Sequence, residues 1–65
     1  MVTNSERIMR LPEVAARIGL SRATIYKRIK EGSFPRQISL GLRSAGWLES
    51  EINNWIAERI TASRH

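Results

Sequence analysis

Basic and hydroxyl-bearing side chains crowd the segment from Ser21 to Lys30. It reads SRATIYKRIK and holds two arginines, two lysines, a serine, a threonine and a tyrosine. Guanidinium and ammonium groups bind phosphate oxygens, and hydroxyl groups can donate hydrogen bonds to the same atoms. This composition predicts a surface that binds a polyanion.

The distribution of charge along the chain supports that prediction. The 65 residues carry a formal net charge of +5. Residues 21–43 hold six of the eleven basic residues against one glutamate, so their own formal charge is +5. Nucleic acid is the commonest partner of a clustered basic face, and double-stranded DNA is the partner we expect. An ordinary solvated surface explains the total charge but not the clustering.

The composition also excludes several classes of protein. The chain has no cysteine, and its one histidine is His65, at the end. Disulfides, thiolate zinc sites and cysteine nucleophiles are therefore excluded, and the glutamates lack a partner base at any recognisable spacing. We expect no enzyme activity, metal, cofactor or small-molecule ligand. No apolar run is long enough for a membrane span or a signal peptide, which predicts a cytoplasmic protein with no membrane partner.

Two short helices must position the basic side chains. Pro12 suits a first helical turn, so we expect the first helix over Pro12–Ile18. Gly19 accepts a left-handed backbone between the helices, and Ser21 can cap a second helix that ends at Glu31. Apolar residues at helical spacing predict a shared core of Val14, Ile18, Leu20, Ile25 and Ile29. This is the pattern of a helix-turn-helix, whose second helix enters the major groove of DNA.

The phase of the second helix separates its core face from its outer face. At about 100° per residue, Ile25 and Ile29 define the buried side. The residues on the opposite side are Ala23, Tyr26, Lys27 and Lys30, and Arg22 reaches outward from the first turn. We expect Arg22 to pair with guanine and Lys27 to reach a base or a phosphate, whereas Tyr26 and Lys30 hold the backbone.

Three residues of this helix region could serve the fold as well as DNA binding. Ser21 and Thr24 are helix-start residues whose hydroxyls could also donate to phosphate, and capping is the stronger role for Ser21. Arg28 stands where simple helix-turn-helix domains often carry an apolar residue, so we expect it on the flank, partly beside the core.

A β-hairpin is predicted after the second helix. The alternation at Gln37–Leu40 indicates a strand, Gly41–Arg43 a short loop and Ser44–Trp47 the returning strand. Arg36 and Arg43 bracket this wing, where they could contact phosphates or enter the minor groove. The alternative is that both are ordinary exposed arginines. The full set of predicted DNA-binding residues is Ser21, Arg22, Ala23, Thr24, Tyr26, Lys27, Arg28, Lys30, Arg36, Arg43 and Ser44.

The remaining segments complete one small domain, expected over residues 8–60. Ile8–Arg10 is a short strand or an extended lead-in, and a last helix opens at Glu49. The apolar stripe of that helix is Leu48, Ile52, Trp55, Ile56 and Ile60. Trp47 and Trp55 are more consistent with core residues than with base-stacking platforms. We expect a disordered arm over residues 1–7 and a loose tail over residues 61–65.

Several strings in this order resemble a known family. They are LSRATIYKRIKEGSFP, covering Leu20–Pro35, and GWLESEINNWI, covering Gly46–Ile56. Together they closely resemble the AlpA family of small phage and prophage regulators, related to MerR-like winged helices and to excisionases. The resemblance extends over residues 9–60. The long C-terminal dimerisation helix and effector domain of MerR regulators proper are absent, so effector sensing is not implied.

The resemblance implies a mainly α winged helix-turn-helix that acts as a bacterial or prophage DNA-binding transcriptional regulator. It places the recognition helix at Arg22–Lys30 and the wing at Gly41–Ser44. Two alternatives stay open. One is an excisionase-like factor that bends DNA for an integrase, with self-association on adjacent sites. The other is a protein-interaction module that exposes Leu48, Trp55 and Ile60.

Overall fold

The computed structural model describes residues 6–64 and contains three helices and a small antiparallel sheet. The elements in chain order are β1 (Ile8–Met9), α1 (Leu11–Ile18), α2 (Arg22–Glu31), β2 (Ile38–Gly41), β3 (Ser44–Leu48) and α3 (Glu49–Ser63). This architecture confirms the predicted mainly α fold with a small hairpin, typical of a winged helix-turn-helix.

Local signals in the sequence set the limits of α1 and α2. Gly19 ends α1 in the left-handed region, with φ of 74°, and its N–H donates to the carbonyl of Ala15. Ser21 caps α2, since its Oγ accepts a hydrogen bond from the Thr24 N–H at 3.2 Å. Gly32, with φ of 82°, ends α2. The helix-turn-helix is therefore confirmed, with α1 starting one residue before Pro12.

The sheet has three strands in the order β1-β3-β2, so the short strand at Ile8–Met9 extends the hairpin into a sheet. Ile8 pairs with Leu48 and Met9 with Trp47. In the hairpin Gly41 pairs with Ser44, which leaves a turn of two residues rather than the three predicted. One extra residue lies on β2 between Ser39 and Gly41.

Gly46 explains why β1 can lie so close to β3. A Cβ built on Gly46 would lie 2.7 Å from Ile8 Cγ2 and 2.9 Å from the carbonyl oxygen of Met9. Any side chain at this position would push β1 away from the sheet.

The core lies between the sheet and the three helices. Its buried members are Met9, Val14, Ile25, Phe34, Trp47 and Ile52. Ile18, Leu20 and Ile29 pack against this cluster while staying partly exposed, as do Trp55 and Ile56. The sequence prediction missed Met9 and Phe34, and it was wrong to align Ile60 with the core, because Ile60 is 46% exposed.

Both ends of the domain differ from expectation. Glu6 and Arg7, assigned to a disordered arm, fasten the start of α3. The Arg7 carbonyl accepts from the Glu49 N–H at 2.8 Å, and Glu6 accepts from the Ser50 N–H at 3.1 Å. At the other end, residues 61–63 of the predicted loose tail belong to α3. The rest of the predicted arm, residues 1–5, and His65 lie outside the described residues.

Candidate nucleic-acid interface

The outer face of α2 presents its polar side chains as one surface. Ile25 is fully buried and Ile29 packs against the core, which turns the opposite side of the helix outward. The exposed side chains there are Arg22, Ala23, Tyr26, Lys27 and Lys30, which we call the basic helix face. The phase argument from the sequence is confirmed in this respect, whereas contact with DNA stays a prediction.

Arg22 and Tyr26 are neighbours on the basic helix face. The guanidinium carbon of Arg22 lies 5.8 Å from the centre of the Tyr26 ring, and Tyr26 is 38% exposed. At an exposed site such a cation–π contact contributes about 0.5–1 kcal/mol. It steadies the Arg22 side chain along the helix.

The hydroxyls at the start of α2 are engaged differently. Ser21 Oγ accepts the Thr24 N–H and donates to Thr24 Oγ1 at 2.9 Å. Ser21 therefore uses its hydroxyl hydrogen within the cap. The Thr24 hydroxyl hydrogen has no acceptor within residues 6–64, so Thr24 is the better candidate donor to a phosphate.

Arg28 lies on the flank of α2, as expected. It is half-buried, and its Nε is enclosed without a hydrogen-bond partner in the described part of the chain. An enclosed nitrogen cannot reach a base edge. Any contact of Arg28 with DNA must come from the outer end of its guanidinium.

The hairpin carries the remaining predicted residues. Arg36 is exposed just before β2, and Ser44, half-buried, opens β3. Arg43 lies in the turn with φ of +60°. This left-handed conformation is uncommon for a residue with a side chain and favours glycine or asparagine.

Two tryptophan N–H groups fix the link between α2 and the hairpin. Trp47 Nε1 donates to the carbonyl of Pro35 at 2.8 Å, and Trp55 Nε1 donates to the carbonyl of Ser33 at 2.8 Å. Phe34, between these two carbonyls, is 4% exposed and meets the Trp55 ring edge-on at 4.9 Å. Trp47 therefore holds the segment after α2 against β3, and Trp55 holds it against α3, which confirms Trp47 as core and gives Trp55 a structural role.

The same contacts bear on the proposed apolar interaction patch. Leu48 and Trp55 are half-buried, and Trp55 packs on Phe34. Ile60 is the one member of that trio that is clearly exposed. The three residues do not form a continuous exposed apolar surface.

Ion pairing divides the basic residues of the described chain into two groups. Arg7 pairs with Glu13 at 2.8 Å and with Glu49 at 3.4 Å, and Arg17 pairs with Glu49 at 3.2 Å. The hydrogen bond to Glu13, and then the charges of Glu13 and Glu49, raise the pKa of the Arg7 guanidinium. These pairs join the start of the chain, α1 and α3, so their role is structural.

In the described chain the basic residues of α2 and the hairpin region make no such pairs, and neither do Arg10, Arg59 and Arg64. No carboxylate in residues 6–64 lies within ion-pair distance of Arg22, Lys27, Arg28, Lys30, Arg36 or Arg43. Their charges stay uncompensated, which creates a field that attracts anions.

Two other kinds of site are not found within residues 6–64. None of the helices there has the length and apolar character needed to span a membrane, and no three His, Cys, Asp or Glu side chains form a metal-binding group.

Comparisons with known proteins identify a family and similar relatives. A family model described as prophage CP4-57 regulatory protein (AlpA) matches residues 7–60. An Enterobacteria phage P4 protein, described as uncharacterized protein ORF88, is 49% identical over 91% of this chain and 67% of its own length. The DNA-binding transcriptional activator AlpA of Escherichia coli K12 is 41% identical over 82% of this chain and 84% of its own length.

Proposed function

This chain belongs to the AlpA family of prophage regulatory proteins, and from that premise we propose that it is a sequence-specific DNA-binding transcriptional regulator. The E. coli relative is named a DNA-binding transcriptional activator, which supports the same broad role here. In the proposed complex α2 lies in the major groove and the β2–β3 hairpin lies on the adjacent backbone.

One observation carries this proposal. Six of the nine basic residues without an ion-pair partner in the described chain cluster in residues 22–43, and the other three, Arg10, Arg59 and Arg64, lie elsewhere, while Arg7 and Arg17 are paired within the fold. A protein that neutralises phosphates with such residues releases bound counterions, which makes its affinity fall steeply with salt.

The contacts assigned to each residue follow from side-chain chemistry. Arg22 can form the bidentate pair with guanine, and Lys27 can reach a base or a phosphate. Lys30, Tyr26 and the Thr24 hydroxyl would hold the sugar–phosphate backbone, which would fix the position of the helix without reading sequence.

The proposal is tested by selecting bound sequences from random DNA duplexes and measuring affinity for the selected and the scrambled site. We expect the selected site to bind about 10³-fold or more tightly than the scrambled one. The affinity should also fall with salt, with a slope of about 0.9 in log units per phosphate neutralised. Equal affinity for both duplexes, or no binding at low salt, would overturn the proposal.

A second role is compatible with the same surface. A small module with a basic helix face can bind adjacent sites, bend the DNA and direct an integrase, as an excisionase does. Footprinting of the genomic DNA that contains the selected sequence separates the two roles. Head-to-tail protected sites in an attachment region favour the architectural role, with self-association or integrase contact, and a single site at a promoter favours regulation alone.

A further inference from the structure

The turn of the hairpin carries an unusually exposed apolar side chain. Leu42 is 93% exposed, whereas the next most exposed large apolar residue, Ile60, is 46% exposed in the described chain. Leu42 is the first residue of the two-residue turn between Gly41 and Ser44, so it lies at the tip of the hairpin together with Arg43.

The neighbours of Leu42 make the tip narrow and basic. Gly41 adds no side chain, and the space where its Cβ would lie is empty. On the other side, Arg43 is held at φ of +60°, although glycine or asparagine would adopt that conformation more easily. A side chain kept at an unfavourable backbone position points to a functional use of that side chain.

The dimensions of the tip suit the minor groove. Two paired strands lie about 4.8 Å apart before their side chains are counted, and the minor groove is about 6 Å wide. The hairpin body is therefore too wide to enter, but a single tip residue is not. Arginine is attracted to the negative potential of a narrow minor groove, and leucine is among the apolar residues that wedge between base steps.

From these observations we infer that Leu42 is a minor-groove wedge, inserted by the hairpin between two base pairs beside the major-groove site, with Arg43 as its anchor. The inference rests on the proposed DNA-binding function. It adds Leu42 as a contact residue, the minor groove as its binding site and a kink in the duplex. Leu42 partly unstacks one base step and kinks the DNA toward the major groove. Flexible pyrimidine–purine steps at that position are the easiest to deform and so are preferred.

The test uses duplexes that contain the selected site, with 2-aminopurine substituted at successive flanking positions and a donor–acceptor dye pair at the two ends. On binding the wild-type protein, 2-aminopurine fluorescence should rise at one flanking step, and energy transfer should increase as the ends approach. Leu42→Ala and Leu42→Ser should abolish both signals and weaken binding by about tenfold. Leu42→Met should retain both signals, because methionine is also an effective wedge.

Ile60→Ala is the matched control, since it removes an exposed apolar side chain from α3 and should change neither signal. Wild-type protein that binds the selected site without either signal overturns the wedge and leaves the regulatory function intact. The wedge is equally overturned if Leu42→Ala keeps both signals. A wild-type protein that binds no duplex overturns the wedge together with the proposed function.

Discussion

Arg43 offers a substitution in which folding stability and DNA binding should move in opposite directions. Its φ of +60° places an arginine in a region that disfavours residues with a Cβ atom by about 1–2 kcal/mol. Asparagine is several-fold enriched in this conformation because its short side chain hydrogen-bonds locally. Arg43→Asn should therefore relieve part of that cost and raise the free energy of unfolding by up to about 1 kcal/mol.

The same change removes a charge from the tip of the hairpin. If Arg43 neutralises one phosphate, its loss lowers the salt slope of log K by about 1. Glycine is a second probe, because Arg43→Gly removes the backbone cost completely but increases the freedom of the unfolded chain by about 0.4–1 kcal/mol. Its free energy of unfolding should thus equal that of the wild type or exceed it by up to about 1.6 kcal/mol, while its DNA affinity falls like that of Arg43→Asn.

Urea denaturation followed by tryptophan fluorescence gives the stability, and fluorescence anisotropy at several salt concentrations gives the slope. Arg64→Gln is the charge-matched control: it removes one exposed positive charge beyond α3 and should leave the slope unchanged. The reasoning is refuted if Arg43→Asn destabilises the fold, or if its salt slope equals that of the wild type.

Three further predictions concern the parts that hold the interface. Ser21→Ala should lower the free energy of unfolding by about 1 kcal/mol through loss of the cap, measured by thermal denaturation. Ser21→Asp should keep the cap but weaken DNA binding at least about tenfold, measured by anisotropy, because its carboxylate repels phosphate. Trp55→Phe removes the hydrogen bond to Ser33 and should lower the free energy of unfolding in urea titration by about 1 kcal/mol. An unchanged value would show that this hydrogen bond does not stabilise the segment between α2 and β2. Gly46→Ala should cost about 1–3 kcal/mol because its Cβ meets Ile8, and a stable variant with unchanged β1 amide exchange would contradict the close packing.

Elements set by local signals could be predicted from the sequence. Ser21 and Gly32 mark the ends of α2 by capping chemistry, and the phase of Ile25 and Ile29 determines which side faces the core. The same phase identifies the candidate face for DNA. Arg22, Lys27 and Lys30 are predicted by spacing alone, since α2 is short and has one buried side.

The parts that could not be predicted depend on residues far apart in the chain. Met9 is buried because β1 pairs with β3, and Glu6 accepts from Ser50, 44 residues away. Such long-range pairings leave no local sequence pattern from which they could be predicted. Phe34 breaks the helical periodicity of the sequence, yet it is core because two tryptophan N–H groups hold the carbonyls on either side of it. The left-handed backbone of Arg43 is equally hidden, because the turn residues at 42 and 43 include neither the glycine nor the asparagine that signals such a turn.

The central claim is that α2 reads base edges through Arg22 and holds the backbone through Lys30. The most direct test is the ratio of affinities for the selected and the scrambled duplex, measured for Arg22→Ala, Lys30→Ala and the wild type. Arg22→Ala should lower that ratio about tenfold or more, as expected for the loss of a bidentate guanine pair. Lys30→Ala should lower the affinity for both duplexes by the same factor and lower the salt slope of log K by about 1. An Arg22→Ala variant that keeps the wild-type ratio would contradict the claim.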